Sequence, residues 1–292
     1  MAQSSIEWTE ATWNPVTGCT RASAGCDFCY AVTMTRRLEA MGQEKYAGLI
    51  NPGKSHFNGT VRTHPESLEQ PLRRKKATIY FVNSMSDLFH PKDPFEFIAA
   101  VFGVMAATPQ HTYQVLTKRP ERATEFFCWL DDEMADPTAI CSEMTVKATN
   151  GSIEIDSEST PSKWPLTNVW IGTSVEDDRV ISRVDALRTV PAHVRFLSCE
   201  PLIGALDLHG QLDGIHWVIV GGESGAGARP MRAEWAADIQ KACKEAEVAY
   251  FFKQTGRVLA RESGLGDSKG SKAEAWPEEI LKIGGRAFPQ AA

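Results

Sequence analysis

One pattern recurs along this chain: a short, almost unbroken apolar run, followed by a longer stretch with helical spacing. The runs are "ATIYFVNS" (77–84), "TYQVLT" (112–117), "NVWIGTS" (168–174), "VRFLSCE" (194–200), "IHWVIVGGE" (215–223) and "VAYFFKQ" (248–254). Consecutive apolar residues rich in β-branched and aromatic types suit strands buried on both faces, as in a parallel sheet. Between the runs, "DPFEFIAAVFGVMAAT" (93–108), "EDDRVISRVDALRTV" (176–190) and "AEWAADIQKACKEAE" (233–247) carry helical spacing. The first of these is read with Asp93 as N-cap and Pro94 as the first helical residue. Strand and helix in alternation predict an α/β fold, either a barrel or a doubly wound sheet.

The polar residues at the C-terminal end of each run favour the barrel. Asn83, Ser84, Ser86 and Asp87 come after the first, Lys118 and Arg119 after the second, and Thr173, Ser174 and Glu176 close the third. Glu200, then Gly221, Gly222 and Glu223, then Lys253 and Gln254 end the rest. Barrels build their sites at the C-terminal ends of strands. The expectation is a partial (β/α)6-type barrel with parallel strands over residues 1–255, its first strand in "WNPVTG" (13–18). A polar insertion at 131–165, read as carrying a small hairpin, interrupts it, and a flexible C-terminal tail covers 256–292. At 292 residues, 42% of them hydrophobic, the chain is long enough for such a core.

Several function classes drop out. No apolar run reaches the roughly 18 residues of a membrane span, and "MAQSSIEWTE" lacks the features of a secretory signal, so a cytoplasmic protein with no membrane partner is expected. The net charge of −6 gives no global attraction to nucleic acid. The basic runs at Leu72–Lys76, Arg36-Arg37 and Lys118-Arg119 read first as solvated faces.

Cysteine use is more specific. Cys128, Cys141, Cys199 and Cys243 are scattered, whereas Cys19, Cys26 and Cys29 fall together in "GCTRASAGCDFCYA" (18–31). Disulfide scaffolds are shorter and more evenly stapled. Clustered thiolates instead select zinc, copper(I) or iron–sulfur centres. A structural zinc site needs a fourth ligand, and His56 is the nearest histidine. A cubic [4Fe–4S] cluster on three thiolates keeps one iron open for a further ligand.

The three cysteines resemble those of the radical S-adenosylmethionine superfamily, whose signature is Cys-x3-Cys-x-aromatic-Cys after the first barrel strand. Cys26, Phe28 and Cys29 match its second half, while six residues rather than three separate Cys19 from Cys26. The whole chain also resembles a phage- and prophage-associated family of unassigned function. That likeness rests on Trp13 to Cys19, Asp87 to His90, Leu116 to Arg119, Gly172 to Glu176 and Cys199 to Leu202.

The superfamily resemblance implies a [4Fe–4S] cluster on Cys19, Cys26 and Cys29 that reductively cleaves S-adenosylmethionine to a 5′-deoxyadenosyl radical. It also implies an electron donor of the flavodoxin or ferredoxin type. Candidates to hold the cofactor are Phe28, Asn83, Ser84, Ser86, Asp87, Thr173, Ser174, Glu176, Gly221 and Gly222. Lys118, Cys199, Glu200 and Glu223 are candidates for the chemistry. Plainer readings stand beside these: Asp87 as a turn cap, "SVEDD" as an acidic helix start, and Cys199 as a core thiol. Glu200 and Glu223 also fit a glycosidase-type pair, which leaves the cysteines unexplained. A nucleobase or nucleotide, as in phage DNA modification, is the candidate substrate. The alternative is a non-catalytic iron–sulfur or zinc-binding phage regulatory protein.

Overall fold

A computed structural model of the chain describes residues 4, 6–132, 136–156, 160, 163–225 and 227–290. Its regular elements begin with β1 (Ala11–Trp13), β2 (Val16–Thr17), α1 (Tyr30–Ala40), β3 (Arg62–Thr63), α2 (Glu69–Leu72) and β4 (Ile79–Val82). Next come α3 (Phe95–Ala106), β5 (Thr112–Thr117), α4 (Pro120–Asp132), α5 (Pro137–Ala148), β6 (Val169–Ser174) and α6 (Ser182–Thr189). The last are β7 (Val194–Cys199), β8 (Trp217–Gly221), α7 (Ala233–Glu245), β9 (Ala249–Gln254), α8 (Gly256–Glu262) and α9 (Glu278–Leu281). A seven-stranded parallel sheet in the order β1-β4-β5-β6-β7-β8-β9 gives the α/β class of the partial-barrel type expected from the alternation. Among the described residues no helix is long and apolar enough to cross a membrane.

The chain divides into two compact units. Met1–Arg21, Ala31–Ile171 and Thr189–His193 form the first; Ala22–Tyr30, Gly172–Arg188 and Val194–Ala292 form the second.

In the first unit β1 pairs with β4, and β4 with β5, all parallel. Trp13, Tyr80 and Tyr113 are fully buried there, with Tyr80 stacked on Tyr113 at 5.5 Å. The first strand is displaced from its expected place at 13–18. Pro15 has no N–H to donate to a ladder, so β1 stops at Trp13 and Val16–Thr17 pairs antiparallel with β3 instead. The start of α3 also differs from expectation. Pro94 keeps an extended ψ of 142° and serves as N-cap, so the helix begins at Phe95. Asp93 is left outside it, 1% exposed, with neither carboxylate oxygen hydrogen-bonded.

The expected hairpin in the insertion is not found among the described residues of 131–165, where α5 forms instead. Asp136 caps that helix by accepting from the Thr138 N–H, and Pro137 occupies its first turn. Its buried Cys141 and Thr145 pack where Gly103 of α3 leaves space, and Thr145 Oγ1 donates to the Ala100 carbonyl at 2.9 Å. Several of the residues that this helix buries, Thr138, Ser142 and Thr145, are polar, which hid it in the composition.

In the second unit β7 pairs with β8, and β8 with β9, again parallel, around a fully buried Trp217. The segment read from composition as a flexible tail packs on β9. Trp276 lies 5.2 Å from Phe252, edge-on, and its Nε1–H donates to the Gly270 carbonyl. Ile280 of α9 is buried as well.

Candidate functional site

All seven cysteines are thiols. Cys19, Cys26 and Cys29 are partly exposed, whereas Cys141, Cys199 and Cys243 are buried and Cys128 is exposed. Cys19 belongs to the first unit, and Cys26 and Cys29 to the second. Among the described residues no three His, Cys, Asp or Glu side chains are grouped so as to hold a metal ion. The donor chemistry of the loop, with three accessible soft sulfurs in a short stretch, nonetheless suits a soft metal or cluster.

Asp87 and Arg119 fix the start of the cysteine loop. Asp87 Oδ1 accepts from Thr117 Oγ1 at 2.7 Å and from the Phe89 N–H, and Oδ2 accepts from the Lys118 N–H and Arg119 Nη1. Arg119 then turns its other nitrogen to the Thr20 carbonyl at 3.1 Å and to Thr20 Oγ1 at 2.9 Å. Its guanidinium also interacts with the Cys19 thiol: burial alone would lower its pKa, but Asp87 and Cys19 raise it. His90 completes the shell. Its Nδ1 accepts from the Lys92 N–H, which leaves Nε2–H to donate to Thr20 Oγ1 at 3.0 Å. Burial, then the Arg119 charge, push His90 down to about 4, so the ring is neutral.

Glu176 does the corresponding work in the second unit. Its Oε1 accepts from Ser23 Oγ at 2.6 Å, and its Oε2 from Arg183 Nη1 at 3.1 Å. Arg183 also donates to the Ser174 carbonyl at 2.9 Å. The pair is nearly sealed from water, with side chains 9% and 1% exposed. Gly25 sits directly on the carboxylate, and a Cβ there would come within 2.3 Å of Oε1. Gly25→Ala is therefore expected to cost about 1–3 kcal/mol, as overpacking does, seen as a lower urea midpoint. An unchanged midpoint would show that the loop can lift off Glu176 without penalty.

The remaining sequence candidates have mixed placements. Asn83 takes a left-handed φ of 58° after β4 and accepts from the Val16 N–H. Ser84 Oγ donates to Asn14, and Ser86 Oγ to the Val16 carbonyl at 2.8 Å. This polar segment thus closes on the chain's own turn between β1 and β2. Thr173 and Ser174 are buried within β6, and Lys118 is half-buried. Phe28 is half exposed.

Gly221 and Gly222, candidates to hold the cofactor, are each closely approached by protein atoms. A Cβ on Gly221 would meet Glu200 Oε1 at 3.0 Å, and one on Gly222 would meet the Thr255 carbonyl at 2.2 Å. Between β8 and β9 the register shifts from Val220↔Phe252 to Gly221↔Gln254, which leaves Lys253 as the extra residue of a bulge. Bulges re-aim side chains, and Lys253 Nζ reaches Glu200 Oε1 at 2.8 Å. Glu200 also accepts from Ser198 Oγ at 3.3 Å. Glu223 is buried and forms a bidentate pair with Arg229. A glycosidase-type pairing of Glu200 with Glu223 is poorly served, because each carboxylate already has its own cation. Cys199 is fully buried, and burial, then the nearby Cys243, push its thiol well up. That placement supports the core reading.

Sequence reading missed the arginines as loop anchors. Arg183 carried a signal, a charge beside Val184 and Leu187 on the inward side of α6, and so did Arg229, the one charge in "SGAGARP" (224–230). A cleft of about 700 Å³ in the first unit, lined by Phe97, Trp129, Ile140 and Met144 among others, contains none of the candidates.

No curated protein and no solved structure matches the chain. A family model described as "Protein of unknown function (DUF5131)" matches residues 3–281, and the chain belongs to that family.

Proposed function

We propose that this chain is a radical S-adenosylmethionine enzyme, with Cys19, Cys26 and Cys29 holding a [4Fe–4S] cluster. The observation that carries the reading is the loop itself, three accessible thiols within eleven residues, tethered by buried polar side chains rather than left to fray. When bound, the cluster supplies the electron that cleaves S-adenosylmethionine, with a flavodoxin- or ferredoxin-type donor behind it. The protein's own residues orient and exclude water. Arg119 and His90 fix Thr20 beside the first thiol, and Glu176 fixes Ser23 and Gly25 ahead of the second. Glu200 and Lys253 offer an acceptor and a donor side by side at their strand ends.

A nucleobase or nucleotide remains the proposed substrate, and a cytoplasmic location the proposed setting. Duplex DNA is the weaker form of this idea. The basic run Arg73–Lys76 precedes β4, at the opposite end of that strand from Asn83, and Arg119 is committed to Asp87 and Thr20. One observation favours the alternative, a non-catalytic cluster- or zinc-binding protein: Asp87, Glu176 and Glu223 all point their carboxylates at internal partners.

The test is anaerobic. Reconstituted protein given dithionite and S-adenosylmethionine is expected to form 5′-deoxyadenosine, read by mass, above a Cys29→Ala control. A fully loaded cluster that binds S-adenosylmethionine yet gives no product, with candidate nucleotides present, selects the binding-protein reading. Full iron occupancy after Cys19, Cys26 and Cys29 are all changed to Ala would remove the ligand assignment altogether.

A further inference from the structure

Between Cys26 and Cys29 lie only Asp27 and Phe28, so whatever orients those two residues orients both thiols. In the second unit one side chain reaches both. Arg229 Nη1 lies 3.6 Å from Asp27 Oδ2, and its guanidinium carbon lies 5.2 Å from the centre of the Phe28 ring. The arginine is itself held. Glu223 accepts from the Arg229 backbone N–H and Nε at 2.9 Å each, and from Nη2 at 2.6 Å. The Glu223 side chain is 4% exposed and that of Arg229 25%. Glu223 thus braces Arg229, whose guanidinium faces Asp27 and Phe28 of the cysteine loop. Gly227 completes the fit, because a Cβ there would come within 2.7 Å of Phe28 Cε1.

We propose that Arg229 is a positioning residue for the thiol pair Cys26 and Cys29, acting through Asp27 and Phe28 and braced by Glu223. This deepens the proposed function and rests on it for its purpose. Its physical content is independent of that reading, since it concerns the order of residues 26–29 in the protein without metal. Lysine cannot replace the arginine fully. A planar fork bonds Glu223 at two points while its face meets the ring, and an ammonium offers neither geometry.

The experiment measures two things on the full chain without metal: amide hydrogen exchange over residues 24–30, and alkylation rates of individual cysteines by mass. Loss of a cation–π contact and a weak ion pair should speed exchange and alkylation at Cys26 and Cys29 by about three- to tenfold in Arg229→Gln. Arg229→Lys should fall between that variant and the native chain. Buried Cys199 and Cys243 should keep their native rates, which a general loss of stability would not allow. Phe28→Leu is the second route, because it removes the ring from the outer side and should give the same local loosening. Unchanged rates at residues 26–29 in both Arg229→Gln and Phe28→Leu would overturn the proposal, as would a uniform rise at all cysteines. A native chain that takes up no iron, yet shows this local loosening in the variants, would sink the radical-enzyme reading and leave Arg229 in its role.

Discussion

Glu176→Ala is expected to destabilise the protein by about 3–5 kcal/mol, because it strands the buried Arg183 guanidinium without its counter-charge. The Glu176–Arg183 pair has almost no access to water to soften that loss. At about 2–4 °C per kcal/mol for a chain above 150 residues, the melting temperature should fall by roughly 6–20 °C. Ser23 Oγ loses its acceptor in the same variant, so the cysteine loop should loosen along with the fold. A second variant separates charge from packing. Replacing Glu176 and Arg183 together by Met removes both charges, and that double variant should be markedly more stable than Glu176→Ala alone. Equal melting temperatures for the two would mean that the stranded charge is not what costs stability.

Asp93→Asn should act in the opposite direction and raise stability at neutral pH. Asp93 is buried with neither carboxylate oxygen hydrogen-bonded. Burial, then the charge of Asp87, push its carboxyl up to about 8, with Arg119 and Arg122 offsetting only part of this. Proton linkage sets the sign. Because the folded pKa lies above the unfolded value, the native state holds its proton between about pH 4 and pH 8 while the unfolded chain releases it. Stability is therefore lost as pH rises through that window, on the order of 4 kcal/mol by pH 7. Asparagine keeps the shape without the charge. Urea unfolding of native and Asp93→Asn protein should give similar midpoints near pH 4 and a growing advantage for the variant toward pH 8. A constant difference across that range would show that Asp93 ionises at the same pH in the folded and the unfolded chain.

The fold was legible where burial is two-sided. β6 and β8 are buried at every position, and their unbroken apolar runs announced them. It was illegible where a few residues had to be placed by pairing alone. β1 and β2 are three and two residues long, and no periodicity resolves elements that short. The helix of the insertion was hidden because α5 buries small and polar residues, Thr138, Ser142 and Thr145, which composition counts as surface. At the site, the short motifs did mark residues that matter, but the chemistry assigned to them ran outward, toward a ligand. Asp87 and Glu176 both turn inward: Asp87 to Arg119, which in turn reaches Thr20, and Glu176 to Arg183 and to Ser23 of the cysteine loop. A sequence shows that a carboxylate is present; only the placement of Arg119 and Arg183 shows that it is already engaged.

The anchoring of Ser23 on the sealed Glu176 has a consequence for any guest of this loop. Peptides that fold around a metal spend part of the binding free energy on arranging their own chain, and they collapse when a chelator removes the ion. Here the loop's course is set by side chains that belong to the scaffold, so its order precedes occupancy. Stripping whatever Cys26 and Cys29 bind should leave the chain's melting behaviour close to that of the loaded form. Uptake would then be limited by delivery of the guest and not by refolding of the host.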